Sequence, residues 1–217
     1  MIHKLKFLGI ALVAALAMSS VLAAAASADV ITSESAGVTT ITGKMEGTDI
    51  FKVHGGEVKC NSVSYTGTFS SGASSVLLTP TYSGCTFAGL ASAVDMNGCQ
   101  YRANVTGGAS TAGSVDIVCT GSNEITVTAP SVGTKKCIVH IPAQTDLTAG
   151  AGTNIGAGAT REGTGDINIT NIKYSQTAGT AETGNCATAD NTTGGTYTGT
   201  ATFTGSVGGA HVGVFLS

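Results

Sequence analysis

Tryptophan is absent from the 217-residue chain, proline occurs three times, charged residues make up 11% and aromatics 5%. Each scarcity excludes a class of protein. Low charge beside 42% hydrophobic residues is the reverse of a disordered chain, which needs high charge and little apolar content. Ten Lys plus Arg against thirteen Asp plus Glu leave no basic surplus, so nucleic acid is not an expected partner. Six Phe and five Tyr without Trp are too few for the two aromatic girdles of an outer-membrane barrel.

Familiar catalytic patterns are missing too. The chain has no G-x-S-x-G nucleophile elbow, no H-E-x-x-H and no C-x-x-C pair. The run Gly150-Ala151-Gly152-Thr153-Asn154-Ile155-Gly156 lacks both dinucleotide-loop spacing and the Lys-Ser/Thr of a P-loop. No cofactor is expected.

What is present is small and β-favouring: 31 glycines and 33 threonines. Gly and Thr are poor interior helix residues, whereas Thr suits a half-exposed strand face. Long helices are therefore not expected after the opening segment. That segment carries Lys4 and Lys6, an apolar run from Phe7 to Ala17, and small residues up to Ala26-Ser27-Ala28. These are the basic, apolar and cleavage regions of a secretory signal. Residues 1–28 are thus expected to be a cleaved signal peptide, and 29–217 a single all-β domain, secreted or held in the cell envelope. No apolar stretch long enough to span a membrane follows it.

All six cysteines, Cys60, Cys85, Cys99, Cys119, Cys137 and Cys186, lie beyond the expected cleavage site. An even number in an exported chain reads as three disulfides. Zinc would want ligand pairs two to four residues apart, and here neighbouring cysteines are far more widely spaced. Facing residues of an antiparallel hairpin are symmetric about its tip. The midpoint of Cys60 and Cys85 falls at Gly72, within Phe69-Ser70-Ser71-Gly72-Ala73; that of Cys99 and Cys119 falls at Ala109, within Gly107-Gly108-Ala109-Ser110. Both midpoints coincide with turn-like clusters between strand-like runs, so these two pairs are expected to be bonded. Cys137 and Cys186 then pair by elimination.

Strand-like runs recur at the spacing of an antiparallel sandwich or barrel-like domain of many short strands. Thr48–Val53 leads through Gly55-Gly56 into Val58, a tight-hairpin signal. Val63, Tyr65 and Phe69 alternate on odd numbers but Val58 and Cys60 on even ones, which predicts a bulge near Asn61. Ile167 and Ile169 against Ile172 and Tyr174 predict another near Asn171. Thr196 to Thr204 alternates throughout, with Tyr197, Ala201 and Phe203 set toward a core. Val212, Val214 and Leu216 make a last strand after the Gly205–Gly209 turn. Thr148–Gly165 and Thr177–Gly195, rich in glycine and poor in apolar residues, read as long surface loops.

Several phrases occur together: Ile41-Thr42-Gly43, Val53-His54-Gly55-Gly56-Glu57-Val58-Lys59-Cys60, Leu78-Thr79-Pro80-Thr81-Tyr82-Ser83-Gly84-Cys85, Asn97-Gly98-Cys99-Gln100-Tyr101 and Val115-Asp116-Ile117-Val118-Cys119. Across roughly Thr39 to Cys137 the set resembles a group of exported bacterial six-cysteine, Gly/Thr-rich β-proteins, found as multiple paralogues and without an assigned activity. The resemblance implies an exported β-protein and carries over no functional residue.

Candidate chemistry is sparse. His54, His140 and His211 are isolated, and no ligand spacing supports a metal site. Asp95, Asp116, Glu124 and Asp146 could supply an acid/base pair only if the fold brought two together. With no catalytic signature, the expected role is a binding or structural module for an extracellular or cell-wall ligand. The alternative is an extracellular hydrolase without a readable motif.

Overall fold

Alternating apolar and small polar residues favour an extended, pleated chain, and the computed structural model is antiparallel sheet almost throughout. It describes residues 30–54, 56–87, 89–105, 112–130, 136–178 and 189–217. The strands, in chain order, are β1 (Ile31–Ser33), β2 (Val38–Val53), β3 (Gly56–Ser70), β4 (Ser75–Phe87), β5 (Leu90–Ala91), β6 (Ala93–Asp95), β7 (Gln100–Asn104), β8 (Ala112–Val118), β9 (Glu124–Pro130), β10 (Lys136–Pro142), β11 (Gln144–Ile155), β12 (Glu162–Ala178), β13 (Ala189–Val207), β14 (Ala210–Val212) and β15 (Val214–Leu216). A 3₁₀ turn at Gly158–Thr160 is the sole helical element among the described residues. No helix among them is long and apolar enough to cross a membrane.

Eight strands close on themselves in the order β2-β3-β4-β7-β8-β11-β12-β13, with β13 pairing back onto β2. Of sandwich and barrel, the chain forms the barrel. Its strands are longer than the many short runs expected: β2 spans 16 residues, β12 17 and β13 19. Strands of a closed barrel run obliquely to its axis, and several continue past the barrel into other pairings. The far half of β12 pairs with β10, β10 with β9, and β9 with β6, forming a side sheet.

Alternation decides which side faces in. On β2, Thr39, Ile41, Met45, Asp49 and Phe51 are buried while Thr40, Thr42, Lys44 and Glu46 are exposed. On β3, Val63, Tyr65 and Phe69 are buried and Ser64, Thr66 and Thr68 exposed. Both strands are apolar inside and polar outside, the inverse of a barrel that faces lipid. Tyr197 and Ala201 are buried on β13 as their alternation predicts.

The two parity slips are present. Asn171 takes φ 61°, and the β12–β13 register shifts between Ile169 and Ile172. At Asn61 the burial parity changes without any slip against β4. Gly84, between the registered Cys85 and Ser83, takes φ 61° and makes the same step as Asn61, between Cys60 and Ser62.

Cys60 faces Cys85 across β3 and β4, and the two are bonded. Cys99 bonds Cys119, extending the register that runs from Gln100 opposite Val118 to Asn104 opposite Ser114. Cross-strand bridges of this kind fit an oxidising, extracellular compartment. Cys137 is buried and disulfide-bonded. Its expected partner Cys186 lies outside the described residues, as do the signal segment 1–28 and the Gly107–Ser110 tip.

One expected loop is largely strand. Thr148–Gly165 contains the end of β11 and the start of β12, with Gly152 opposite Gly165 in register. Glycine has no side chain to alternate, so a glycine-rich strand loses its period-two signal. Of the second expected loop, Thr177–Gly195, residues 179–188 lie outside the described residues, and its final part is already β13. The last strand is also divided: β14 pairs with β13, and beyond Gly213 β15 pairs with β1.

That β1–β15 ribbon is tied to opposite sides of one barrel mouth. Ile31 N–H donates to Ala73 O at 2.8 Å, and Gly72 N–H to Ile31 O at 2.9 Å, holding it to the β3–β4 turn. Val214 N–H donates to Arg161 O at 3.1 Å, and the Asn154 side chain bonds both backbone groups of Leu216, holding it beside the β11–β12 turn. Those two turns lie half the barrel's circumference apart in strand order.

Candidate functional site

An eight-strand barrel is just wide enough either to be filled by side chains or to hold one small ligand. This one is incompletely filled. Its interior encloses a cavity of about 260 Å³, lined almost wholly by apolar groups such as Ile41, Val76, Leu78 and Ile169. The ribbon contributes Ile31, Val214 and Leu216 to the wall, and the side sheet adds Ile125, Val127 and Ile141.

Glycine opens the space. Gly163 and Gly165 lie on the inward face of β12, opposite Phe203 and Ala201. A Cβ at either would meet nothing within 4 Å. Elsewhere an inward glycine admits a neighbour: a Cβ on Gly43 would lie 2.4 Å from the Phe203 ring. The same residue type thus leaves a void on one side of β13 and seats the Phe203 ring on the other.

A polar cluster is set into this apolar lining. Tyr197 donates its hydroxyl to Asp49 Oδ2 at 2.5 Å, and Tyr65 Oη lies 2.9 Å from Tyr197 Oη. With Tyr197 spending its proton on the carboxylate, Tyr65 is the donor of the second bond. Tyr82 and Tyr101 form a further hydroxyl pair at 2.7 Å. All five residues line the cavity, and they come from β2, β3, β4, β7 and β13.

Asp49 is 2% exposed and its Oδ1 has no hydrogen-bond partner. Gly199, at the β13–β2 register irregularity, provides the room: a Cβ there would meet Oδ1 at 2.8 Å and the Met45 methyl at 1.9 Å. Burial pushes the Asp49 carboxyl up to about 7, and the bond from Tyr197 offsets part of that. Burial also raises the four tyrosines, with the Asp49 charge adding to the effect on each. Their hydroxyls are therefore neutral throughout the physiological range.

The carboxylates singled out by sequence do not gather here. Asp95 accepts the Asn97 N–H in a turn. Asp116 accepts the Asp146 N–H at 2.9 Å and faces Arg102 at 3.5 Å, which fixes the irregular β8–β11 register where Asp146 takes φ 58°. Glu124 pairs with His140 across β9 and β10 at 2.5 Å, and His140 Nε2 lies 3.0 Å from Thr177 Oγ1. His54 donates its backbone N–H to Tyr174, and His211 Nδ1 lies 3.2 Å from Ala159 O. Among the described residues no three of His, Cys, Asp and Glu come together as a metal site.

Sequence reasoning passed over Asp49. The available signal was its parity: Asp49 shares odd numbering with Ile41, Met45 and Phe51 on one strand, a lone carboxylate on the core face. No protein-family model, curated protein or solved structure matches the chain.

Proposed function

We propose that the chain is a secreted or envelope-associated binding module that holds a small, largely apolar molecule inside the barrel. The observation that carries this is the unfilled interior itself. Interiors normally pack to crystal-like density with few voids larger than a water, whereas this barrel leaves about 260 Å³ beside inward glycines. A 150 Å³ apolar cavity already admits benzene, so this volume suits roughly ten non-hydrogen atoms. The expected export signal and the disulfide staples support work outside the cell. The hydrolase alternative has less behind it: among the described lining residues no histidine stands beside a hydroxyl nucleophile, and the carboxylate besides Asp49 is the exposed Asp166, bonded by Thr200.

The test is to titrate the mature protein with butylbenzene by calorimetry, alongside Gly165→Leu. The leucine side chain enters the void without a backbone clash, so the variant should fold as well as the parent and lose the binding. Equal binding by both proteins, or none by the parent to this or any size-matched apolar probe, overturns the reading.

A further inference from the structure

We infer that the molecule held in the barrel is an apolar amine whose protonated nitrogen pairs with Asp49. This rests on the lumen-binding reading and assigns the ligand's chemical class. Three observations converge on it.

The first is charge. The only ionic side chains among the described lining residues are carboxylates, Asp49 inside and Asp166 at the exposed edge; no Lys, Arg or His lines the cavity. A fatty acid or other apolar anion would meet repulsion and find no counter-charge.

The second is the unmet bond. Asp49 Oδ2 is occupied by Tyr197, while Oδ1 is buried without a partner. Buried polar atoms are normally satisfied, so an orphaned carboxylate oxygen at a cavity wall marks where a donor is missing. The cover over it is light. The Met45 methyl shares the space above Gly199 with Oδ1, and a methionine side chain rearranges readily.

The third is the aromatic surround. Tyr65, Tyr82, Tyr101 and Tyr197 line the cavity with Asp49; Tyr197 bonds its carboxylate, Tyr65 bonds Tyr197, and Tyr82 and Tyr101 bond each other. Aromatic faces attract a cation, more strongly once it is desolvated. Tyrosine oxygens can accept the ammonium hydrogens that Asp49 does not. The apolar part of the amine would extend toward Gly163, Gly165 and the β1–β15 ribbon.

Ionised Asp49 is required, so amine binding should weaken as pH falls. The titratable groups that line the cavity with it are the four tyrosine hydroxyls, all raised and therefore silent over this range, and Asp166 at the exposed edge.

The experiment compares 2-phenylethylamine, 2-phenylethanol, phenylacetic acid and ethylbenzene by calorimetry at pH 6 and pH 8, on the mature protein and on Asp49→Asn. The expected result is an amine preference over the alcohol of roughly thirtyfold or more at pH 8 in the parent. That ratio should fall about tenfold at pH 6, because the competent ionised fraction falls by that factor, and should collapse toward one in Asp49→Asn. Comparable binding of amine, alcohol and hydrocarbon overturns the amine inference and leaves the lumen reading standing. A preference for the acid, or an amine preference that Asp49→Asn retains, also overturns it. Binding of none of the four by the parent overturns both.

Discussion

Replacing Asp49 by Asn should change how stability depends on pH, without any ligand present. In the folded protein the carboxyl is raised from 3.8 to about 7, mainly by burial. Below about pH 4 both folded and unfolded chains carry the proton, and the group has no net effect. As pH rises from about 4 to about 7, the unfolded chain gives up its proton while the folded one keeps it. The unfolded state then binds fewer protons, so stability falls with rising pH, and it levels off above about 7. The shift of about three units, at about 1.4 kcal/mol each, corresponds to about 4 kcal/mol lost between pH 4 and pH 8. Asn keeps the shape and can still accept from Tyr197, but it has no proton to lose. Urea unfolding of both proteins at pH 4, 6 and 8 therefore isolates this one group from the other carboxylates. The variant should gain on the parent progressively, reaching several kcal/mol by pH 8. Parallel pH dependences would show that Asp49 titrates like a solvated carboxylate, and the account of the buried cluster would be wrong.

Other substitutions probe the barrel wall and the staples. Gly43→Val should destabilise by about 2 kcal/mol or more, because its Cβ would meet the Phe203 ring at 2.4 Å; denaturant midpoints measure this. Gly165→Leu should be near neutral in the same assay, since nothing lies within 4 Å of its Cβ position. Asp116→Ala should cost about 1–3 kcal/mol by leaving the Asp146 N–H unpaired at the β8–β11 irregularity, and its amide should lose hydrogen-exchange protection. Non-reducing peptide mapping should recover Cys60 linked to Cys85 and Cys99 linked to Cys119, with Cys137 linked to Cys186. Removing either hairpin bridge as a Cys-to-Ala pair should cost about 3 kcal/mol.

Some of this architecture was legible along the chain because it is local. Alternation of period two names the buried face of a strand before any partner is known, and it placed Tyr197 and Ala201 inside. Hairpin symmetry located two disulfides for the same reason: residues equidistant from a tight turn must face one another whatever the rest of the fold does. The slip at Asn171 was visible because an extra residue shifts every later side chain to the opposite face; at Asn61 the parity changed in the sequence although β3 and β4 stay in register. Where side chains vanish, so does the signal, and the glycine-rich ends of β11 and β12 looked like a loop.

Closure was decided only in three dimensions. The pairing of β13 with β2 joins Tyr197 to Phe51 across most of the sequence, and no spacing or turn announces it. Only that closure puts Asp49 beside Tyr197, and only the same closure turns Gly163 and Gly165 from flexible-looking residues into the wall of a void. Local pattern fixes which way a side chain points; what it points at depends on strands that meet from far apart, and on whether the side chains they bring are large enough to fill the space between them.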